Sequence, residues 1–272
     1  YVGLQTIVRV KNINNNNAYD EAYLTYVQTS PEGEVISETV TFDTKSVPGF
    51  AIAEVPVMAW SMSDEITVTA YYEVEGVVYQ GESRTTSVRK QAMERIDNSA
   101  VDANTKAVCV AMLNYGAAVQ NAFNHCNSEE EYLANYELAA EDKIIPAVEF
   151  TGGLTMPEGA LKPLKASLSL GAKVTMSFPI KVSEMTAYEV RYTLDGSNET
   201  IVPASDITDL GAVCALTIAA KPLYMRSEYS IAIYNAETGE KVYGDIECTI
   251  AAMAQAHEGT QYHDVVATML AY

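Results

Sequence analysis

The chain is poor in basic residues: its 272 residues include 17 lysines and arginines against 36 aspartates and glutamates, a formal net charge of −19 at pH 7. Phosphate groups would repel such a chain, which also lacks the counterion release that drives most nucleic-acid binding. The anionic face of a membrane would repel it in the same way. The charge balance therefore argues against nucleic acid as a partner, while 48% hydrophobic residues indicate a folded chain and not an acidic disordered tail.

Long apolar runs are also missing, since no segment approaches the roughly 18 to 20 apolar residues of a bilayer-spanning helix. We therefore predict no membrane insertion. The chain begins at Tyr1 with neither Met nor the basic and apolar pattern of a secretion signal. We interpret it as a processed product or a piece of a longer protein.

Cysteine is scarce, with residues only at Cys109, Cys126, Cys214 and Cys248. They form no Cys-x-x-Cys pair and lack the dense spacing of a disulfide framework, so buried thiols are favoured over disulfides. His125 beside Cys126 is one adjacent pair without a second pair at ligand spacing, which argues against zinc. We predict no metal and no cofactor.

An internal repeat is the most informative feature that is present. Residues 62–71 match residues 225–234, Val78-Tyr79 matches Val242-Tyr243, and residues 112–115 match residues 269–272, all in the same order. The period is too long for a solenoid, whose repeats span about 20 to 50 residues. The repeat therefore predicts two related modules.

Each copy has several short strand-like segments separated by turn residues, followed by a helical pattern. This predicts an α+β fold of two tandem modules, each a small antiparallel β-sandwich (Ig-like) followed by amphipathic helices. The predicted boundaries are a sandwich over 1–90, helices over 91–145, a linker over 146–165, a second sandwich over 166–250 and helices over 251–272.

The longest helical pattern runs from about Asp102 to Phe123. Five apolar side chains fall at steps of three and four residues and are expected to share its buried face: Val108, Met112, Tyr115, Val119 and Phe123. A second short helix is predicted to begin at Ser128, capped reciprocally with Glu131.

The segment Met112-Leu113-Asn114-Tyr115-Gly116-Ala117-Ala118-Val119-Gln120 carries a resemblance to a known family. With residues 62–66, 78–81, 86–89 and 132–135 in the same order, it resembles a repeat of large secreted surface proteins of anaerobic Clostridia-type gut and rumen bacteria. The resemblance covers the first copy well and the second loosely. It implies a secreted or cell-surface location beside Ig-like and adhesive modules, and it implies no catalytic or binding residues.

Motifs for catalysis are absent. The acidic pairs, such as Asp64-Glu65 and Glu141-Asp142, occur in polar or helix-start contexts where a solvated role is expected. Neither a Gly-x-Ser-x-Gly elbow nor a phosphate loop is present, and His257 and His263 stand six residues apart, which does not suit two zinc ligands on one helix. The loop Asn14 to Asn17 with Asp20-Glu21 offers oxygens for calcium, but a simple hairpin connection is favoured.

Carbohydrate is the most plausible ligand, because exposed aromatic rings on a sandwich can stack on sugars. Tyr71 and Tyr79 recur in the second copy and are expected in the shared core, whereas Trp60 and Tyr72 do not recur and are the candidate glycan-binding residues. Core packing is the competing interpretation for Trp60, the only tryptophan.

These observations together predict a non-catalytic extracellular module of a bacterial cell-surface protein, with a structural spacer or adhesion role. A carbohydrate-binding module of a polysaccharide-degrading system is the alternative, and assembly by strand exchange is a weaker one. The expected partners are a polysaccharide or a surface protein and the neighbouring modules of the same polypeptide. The apolar stripe around Met112 is expected to be buried at the module junction.

Overall fold

The protein is mixed α+β with several antiparallel sheets, and this part of the fold prediction is confirmed. The computed structural model describes residues 2–8, 21–41, 51–125, 129–158, 166–170, 174–181, 185–202, 206–210, 213–219 and 222–272. The chain divides into two compact units, residues 1–145 and 146–272. In the described ranges, no helix combines the length and apolar character needed to cross a bilayer.

Where it is described, the first unit is built on two antiparallel sheets. One contains β1 and β4, and the other has the order β3-β2-β5-β6 with β7 also paired to β5. The strands are β1 (Val2–Val8), β2 (Glu21–Thr29), β3 (Val35–Thr41), β4 (Ala51–Val57), β5 (Glu65–Val74), β6 (Val77–Gln80) and β7 (Arg84–Thr86).

Side chains that alternate along the strands contribute to the core of the first unit. Leu24, Tyr26 and Gln28 of β2 are buried, and Gln28 lies opposite the buried Ile66 of β5. Val27, between two of them, is exposed, because successive side chains of a strand point to opposite faces. One face of the sheet therefore packs inward and the other meets solvent.

Two helices follow the sheets: α1 (Val88–Asp97) and α2 (Ala103–Ala122). Each begins at a side-chain cap. The Ser87 hydroxyl accepts a hydrogen bond from the Lys90 amide at 3.0 Å, and the Asp102 carboxylate accepts one from the Thr105 amide at 3.0 Å. Such caps satisfy amides that have no partner within the first turn of a helix. The helix predicted over 102–123 is present.

The buried face of α2 differs from the predicted stripe. Val108 is 49% exposed, and Met112, Tyr115 and Phe123 are only half-buried. The buried side is instead made by Cys109, Leu113, Asn114, Gly116, Ala117, Ala118, Val119 and Gln120. Apolar periodicity missed this face because it is centred on glycine and includes two polar side chains.

The prediction of a short helix beginning at Ser128 is also wrong for the part of that segment that is described. Ser128 lies outside the described residues, and residues Glu130–Tyr132 form a single 3-10 turn followed by irregular chain. A further 3-10 turn spans Ala140–Asp142. Side chains from α1 and α2 hold this segment, as described below.

The described residues of the second unit also form two antiparallel sheets, with orders β13-β14-β10-β9 and β12-β11-β15-β16-β8. Its strands are β8 (Leu154–Thr155), β9 (Ser167–Leu170), β10 (Val174–Ile180), β11 (Tyr188–Leu194), β12 (Thr200–Ile201), β13 (Ile207–Asp209), β14 (Cys214–Ala219), β15 (Tyr229–Asn235) and β16 (Lys241–Cys248).

The two sheets of the second unit meet across a buried core. Met176 and Phe178 of β10 are fully buried, and the Met176 Sδ lies 3.9 Å from the Cys248 Sγ of β16. This sulfur contact joins one sheet to the other. The helices α3 (Ile250–Ala254) and α4 (His263–Ala271) complete the unit.

Part of the segment that the sequence predicts as a linker lies on this unit. Leu154 and Thr155 form β8, which pairs with Cys248 and Glu247 at the outer edge of β16. The Tyr243 hydroxyl donates a hydrogen bond to the Pro157 carbonyl. Residues 154–157 are therefore bound to the second sheet by main-chain and side-chain contacts.

Candidate functional site

Trp60 packs within the first unit. It lies in the 3-10 turn Ala59–Ser61, just before β5, and is half-buried. Its ring centroid is 6.1 Å from that of Phe123, in an edge-to-face arrangement, and 6.1 Å from that of His125. These contacts place Trp60 against the C-terminal end of α2.

Tyr72 lies near the far end of β5 and stacks on Tyr79 of β6. The two ring centroids are 4.9 Å apart and the planes differ by 11°. Tyr79 is 45% exposed, so its predicted core position is wrong, whereas its sequence counterpart Tyr243 is 5% exposed. The Tyr72–Tyr79 stack is therefore an aromatic pair at the edge of the sheet.

The structure does not bring Trp60 and Tyr72 together. Trp60 precedes β5, whereas Tyr72 lies seven residues after its first residue, Glu65. At about 3.3 Å per residue along a strand, Glu65 and Tyr72 lie about 23 Å apart. A single sugar-stacking platform formed by both rings is not present.

The residues that carry the family resemblance instead hold the segment after α2. Gln120 is fully buried, its Oε1 accepts a hydrogen bond from the Ala134 amide at 2.7 Å, and its Nε2 donates one to the Tyr132 carbonyl at 3.1 Å. Asn114 donates to the Asp142 carbonyl at 2.7 Å and accepts from the Asn135 side chain at 2.9 Å. Both amides thus satisfy groups of the irregular segment 129–143.

Gly116 allows this segment to approach the helix closely. A Cβ at this position would lie 2.7 Å from the Met62 Sδ and 2.8 Å from the Ala134 Cβ. Real Cβ atoms essentially never approach heavy atoms this closely, so only glycine fits without a shift. We call Asn114, Gly116 and Gln120, with the segment 129–143, the helix clamp.

Arg89 of α1 binds the same segment. Its Nη1 donates to the Glu131 carbonyl at 2.7 Å and to the Leu133 carbonyl at 3.1 Å, and its Nε lies 3.4 Å from the Glu137 carboxylate. Sequence reasoning missed Arg89, Asn114 and Gln120 as structural residues. The polar residues of an otherwise small and apolar helix face were the signal that could have identified two of them.

A buried polar cluster lies near Trp60. Asp64 is 2% exposed, and its Oδ2 accepts a hydrogen bond from the Gln28 Nε2 at 2.7 Å. Its Oδ1 and the Nε2 of His125 are buried without a hydrogen-bond partner among the described groups. Burial raises the pKa of Asp64 above its ordinary value of 3.8, and the hydrogen bond from Gln28 offsets part of this effect.

The raised pKa of Asp64 predicts that the free energy of unfolding of the first unit depends on pH. Because the folded state favours the protonated carboxyl, the contribution of Asp64 to stability is greatest below pH 3.8 and is lost as the pH rises through its folded-state pKa. His125 and Glu32 also face the carboxyl, and their charges lower and raise its pKa respectively. We expect Asp64→Asn to be more stable than the wild type at neutral pH.

Urea unfolding of both proteins between about pH 4 and pH 8 measures the effect. The stability difference should grow as the pH rises, whereas Glu65→Gln, a neighbouring exposed position, should show no such trend. A difference that is constant across this range would contradict the buried-carboxyl explanation.

A polar cleft of about 370 Å³ lies in the second unit. Its charged lining is formed by Asp195, Arg226, Glu228 and Glu247, and its floor includes Gly152 and Thr249. The Asp195 carboxylate accepts a hydrogen bond from the Glu228 amide at 2.8 Å, and this bond lowers the pKa of Asp195. Asp195 is thus suited to remaining ionised and not to donating a proton.

Arg226, the basic residue of the cleft lining, already has hydrogen-bond acceptors. The Arg226 guanidinium donates to the Thr151 hydroxyl at 3.3 Å and to the Leu270 carbonyl at 3.4 Å. Across the described parts of the chain, no three His, Cys, Asp or Glu side chains form a group that could hold a metal ion. The calcium candidates, Asn14 to Asn17 with Asp20, lie outside the described residues.

The remaining candidates for chemistry are histidines and cysteines. The His257 Nε2 lies 3.1 Å from the Leu168 carbonyl, and His263 begins α4. Cys109 and Cys248 are buried thiols, and burial raises the pKa of Cys248 to about 12. Such a thiol is a poor nucleophile, because the reactive form is the thiolate.

Neither a protein-family model nor a curated protein matches this chain.

Proposed function

We propose that the chain consists of two tandem Ig-like modules and serves as a non-catalytic structural spacer or adhesion module of a bacterial cell-surface protein. Each module comprises an antiparallel sandwich followed by helices. The secreted or cell-surface location in an anaerobic gut bacterium rests on the resemblance of the Leu-Asn-Tyr-Gly-Ala-Ala-x-Gln segment.

The correspondence of one hydrogen-bonded corner in both units is the observation that carries the proposal. In the first unit, the Met62 carbonyl accepts from the Arg89 amide at 2.8 Å; in the second, the Met225 carbonyl accepts from the Ala251 amide at 3.1 Å. Each helix that supplies the amide is capped by the hydroxyl two residues earlier, at Ser87 or Thr249. Met62 and Met225 are the positions aligned by the sequence repeat.

The sheets support the same correspondence. β5 and β15 both follow this corner, and each lies between an earlier strand, β2 or β11, and a later one. Thr86 of β7 pairs with Ile66, and Cys248 of β16 pairs with Tyr229, one residue before the capping hydroxyl in each unit. The sequence repeat is therefore accompanied by a repeated strand order, which supports two related modules.

The helix clamp favours a structural role over a binding role. Asn114, Gly116 and Gln120 are buried, and their contacts are with the same unit. The segment that carries the resemblance therefore stabilises the module and leaves no polar group of Gln120 directed to solvent.

Carbohydrate binding remains the second candidate because of the Tyr72–Tyr79 stack, whose outer ring is exposed. Aromatic rings of this kind provide stacking surfaces for sugars. Trp60 supports it less, since its ring contacts Phe123 and His125.

A binding panel separates the two functions. The immobilised chain is tested against plant, host and microbial polysaccharides and against extracellular matrix proteins, with Trp60→Ala, Tyr72→Ala and Tyr79→Ala in parallel. We expect no saturable binding to any polysaccharide. Polysaccharide binding that is lost in Tyr72→Ala and Tyr79→Ala, while Trp60→Ala retains it, would replace the spacer or adhesion function with glycan recognition.

A further inference from the structure

The two units differ at one equivalent sheet edge. In the second unit, the outer edge of β16 is covered by β8: Glu247 pairs with Thr155 and Cys248 with Leu154. In the first unit, β7 occupies the corresponding position and pairs with β5. Among the described residues, no strand pairs with the outer edge of β7, and Arg84 and Thr85 are exposed.

The capping hydroxyl has a second role in the second unit. The Thr249 Oγ1 accepts from the Ala252 amide at 3.0 Å and donates to the Thr151 carbonyl at 2.7 Å, while the Thr249 amide donates to the Gly153 carbonyl at 3.2 Å. One residue therefore caps a helix and fixes the incoming strand.

Ser87 offers the same groups in the first unit. Its hydroxyl accepts from the Lys90 amide at 3.0 Å, as Thr249 does from Ala252. Within the described part of the chain, that hydroxyl donates to no acceptor, although Ser87 is more than nine-tenths buried. A buried hydroxyl with an unused donor is the feature that an incoming carbonyl would satisfy.

One glycine is required in the strand that binds at Thr249 in the second unit. Gly152 has a φ of +86°, and a Cβ at this position would lie 2.4 Å from the Thr249 Cγ2 and 2.5 Å from its Oγ1. A side chain at this point would therefore prevent the approach to the capping residue. The strand that fits this kind of edge therefore has glycine next to the capping residue and, after one further residue, an extended pair such as Leu-Thr; a Cβ on that further residue, Gly153, would meet no atom within 4 Å.

We propose that the outer edge of β7, with Ser87, is a docking site for an extended, glycine-containing peptide strand supplied by a different polypeptide. The strand adds antiparallel to β7, its glycine lies against Ser87, and the Ser87 hydroxyl donates to the carbonyl that precedes this glycine. Strand addition of this kind derives its affinity from main-chain hydrogen bonds. The inference rests on the correspondence of the two units used for the proposed function.

A second copy of this chain is the less suitable partner. Its own strand of this kind, β8, is already paired with β16. Two chains of net charge −19 also repel each other. The occupant is therefore assigned to another protein that presents such a segment.

The experiment adds a synthetic peptide with the sequence of residues 150–157 to the intact chain and follows amide hydrogen exchange. We expect exchange over residues 84–87 to slow by about tenfold at saturating peptide, while exchange over 247–249 is unchanged. A scrambled peptide should have no effect. Unchanged exchange over 84–87 at high peptide concentration would overturn the proposal.

Two N-methylated peptides test the geometry without altering the protein. In the second unit, Glu247 and Thr155 form a hydrogen-bonded pair, because the next pair of this type joins the Thr249 amide to the Gly153 carbonyl. N-methylation at the position of Thr155 should abolish the slowing, whereas N-methylation at the position of Leu154, whose amide points away, should preserve it. Equal effects of the two would overturn strand addition.

Self-association gives a distinct result. The intact chain is therefore also measured without peptide at several protein concentrations. If exchange over 84–87 slows as the protein concentration rises, the occupant is a second copy of the chain and not a different polypeptide. The polysaccharide panel is independent of this edge, because the Tyr72–Tyr79 stack lies on β5 and β6. Failure of the docking site and failure of the proposed function are therefore distinguishable.

Discussion

Met62→Ala is expected to destabilise the first unit by about 3 kcal/mol. Met62 is fully buried, and its Sδ lies where a Cβ on Gly116 would be only 2.7 Å away, so it fills the space between the corner and α2. Truncation removes buried apolar surface and leaves a cavity in a densely packed site. Urea unfolding combined with amide exchange, read separately for residues 1–145 and 146–272, measures the loss.

Met225→Ala provides the matched experiment in the other unit. Met225 is buried at the aligned position, and its carbonyl accepts from the Ala251 amide. We expect Met225→Ala to accelerate exchange in residues 146–272 and Met62→Ala to do so in residues 1–145. Met156→Ala, at a residue that is 37% exposed, should change neither by more than about 0.5 kcal/mol. Loss of protection throughout the chain in both buried variants would contradict two separate units.

Gln120→Ala is the second change with a large expected effect, a loss of about 3 kcal/mol from the first unit. The side chain is fully buried, and its removal leaves the Ala134 amide and the Tyr132 carbonyl without their partner. A buried group left without a hydrogen bond costs about 1–3 kcal/mol, which exceeds the gain in helix propensity from alanine. Denaturant unfolding measures the loss directly.

Asn121→Ala is the control for the helix clamp. Asn121 is the next residue of α2 and its side chain is exposed, so the same substitution tests helix propensity without the buried contacts. It should be neutral or slightly stabilising. Equal stability of Gln120→Ala and Asn121→Ala would show that the hydrogen bonds of Gln120 do not hold the segment 129–143.

Strands β2 and β14 could be predicted from sequence because buried side chains alternate along them with less buried ones, as one inward and one outward face requires. β4 and the last part of β10 were harder, since Pro56 and Pro179 weaken a strand pattern. In the structure, Pro56 pairs with Gly3 and Pro179 with Ala215, each where the described strand has a partner on one side. Proline is tolerated at the edge of a sheet, where the side without a partner strand needs no ladder hydrogen bond from the amide that proline lacks.

The face of α2 and the aromatic candidates could not be obtained from pattern alone. In the sequence, Asn114, Gly116 and Gln120 interrupt the apolar stripe of the helix. They are nevertheless buried, and Asn114 and Gln120 bind residues that follow them by 12 to 28 positions. The recurrence of Tyr79 as Tyr243 predicted a core position for Tyr79. In the structure, β16 pairs with β15 in a different register from that of β6 with β5, and Tyr243 is buried whereas Tyr79 is exposed. Long-range packing decides both cases.

Single-molecule extension of the intact chain from its two ends tests the spacer proposal most directly. Two independently folded modules should unfold in separate steps that release the lengths of residues 1–145 and 146–272. At about 3.5 Å per residue, these are about 500 Å and about 450 Å. A single step releasing the whole chain would contradict a tandem spacer, and two steps of these lengths are the result that the proposal predicts.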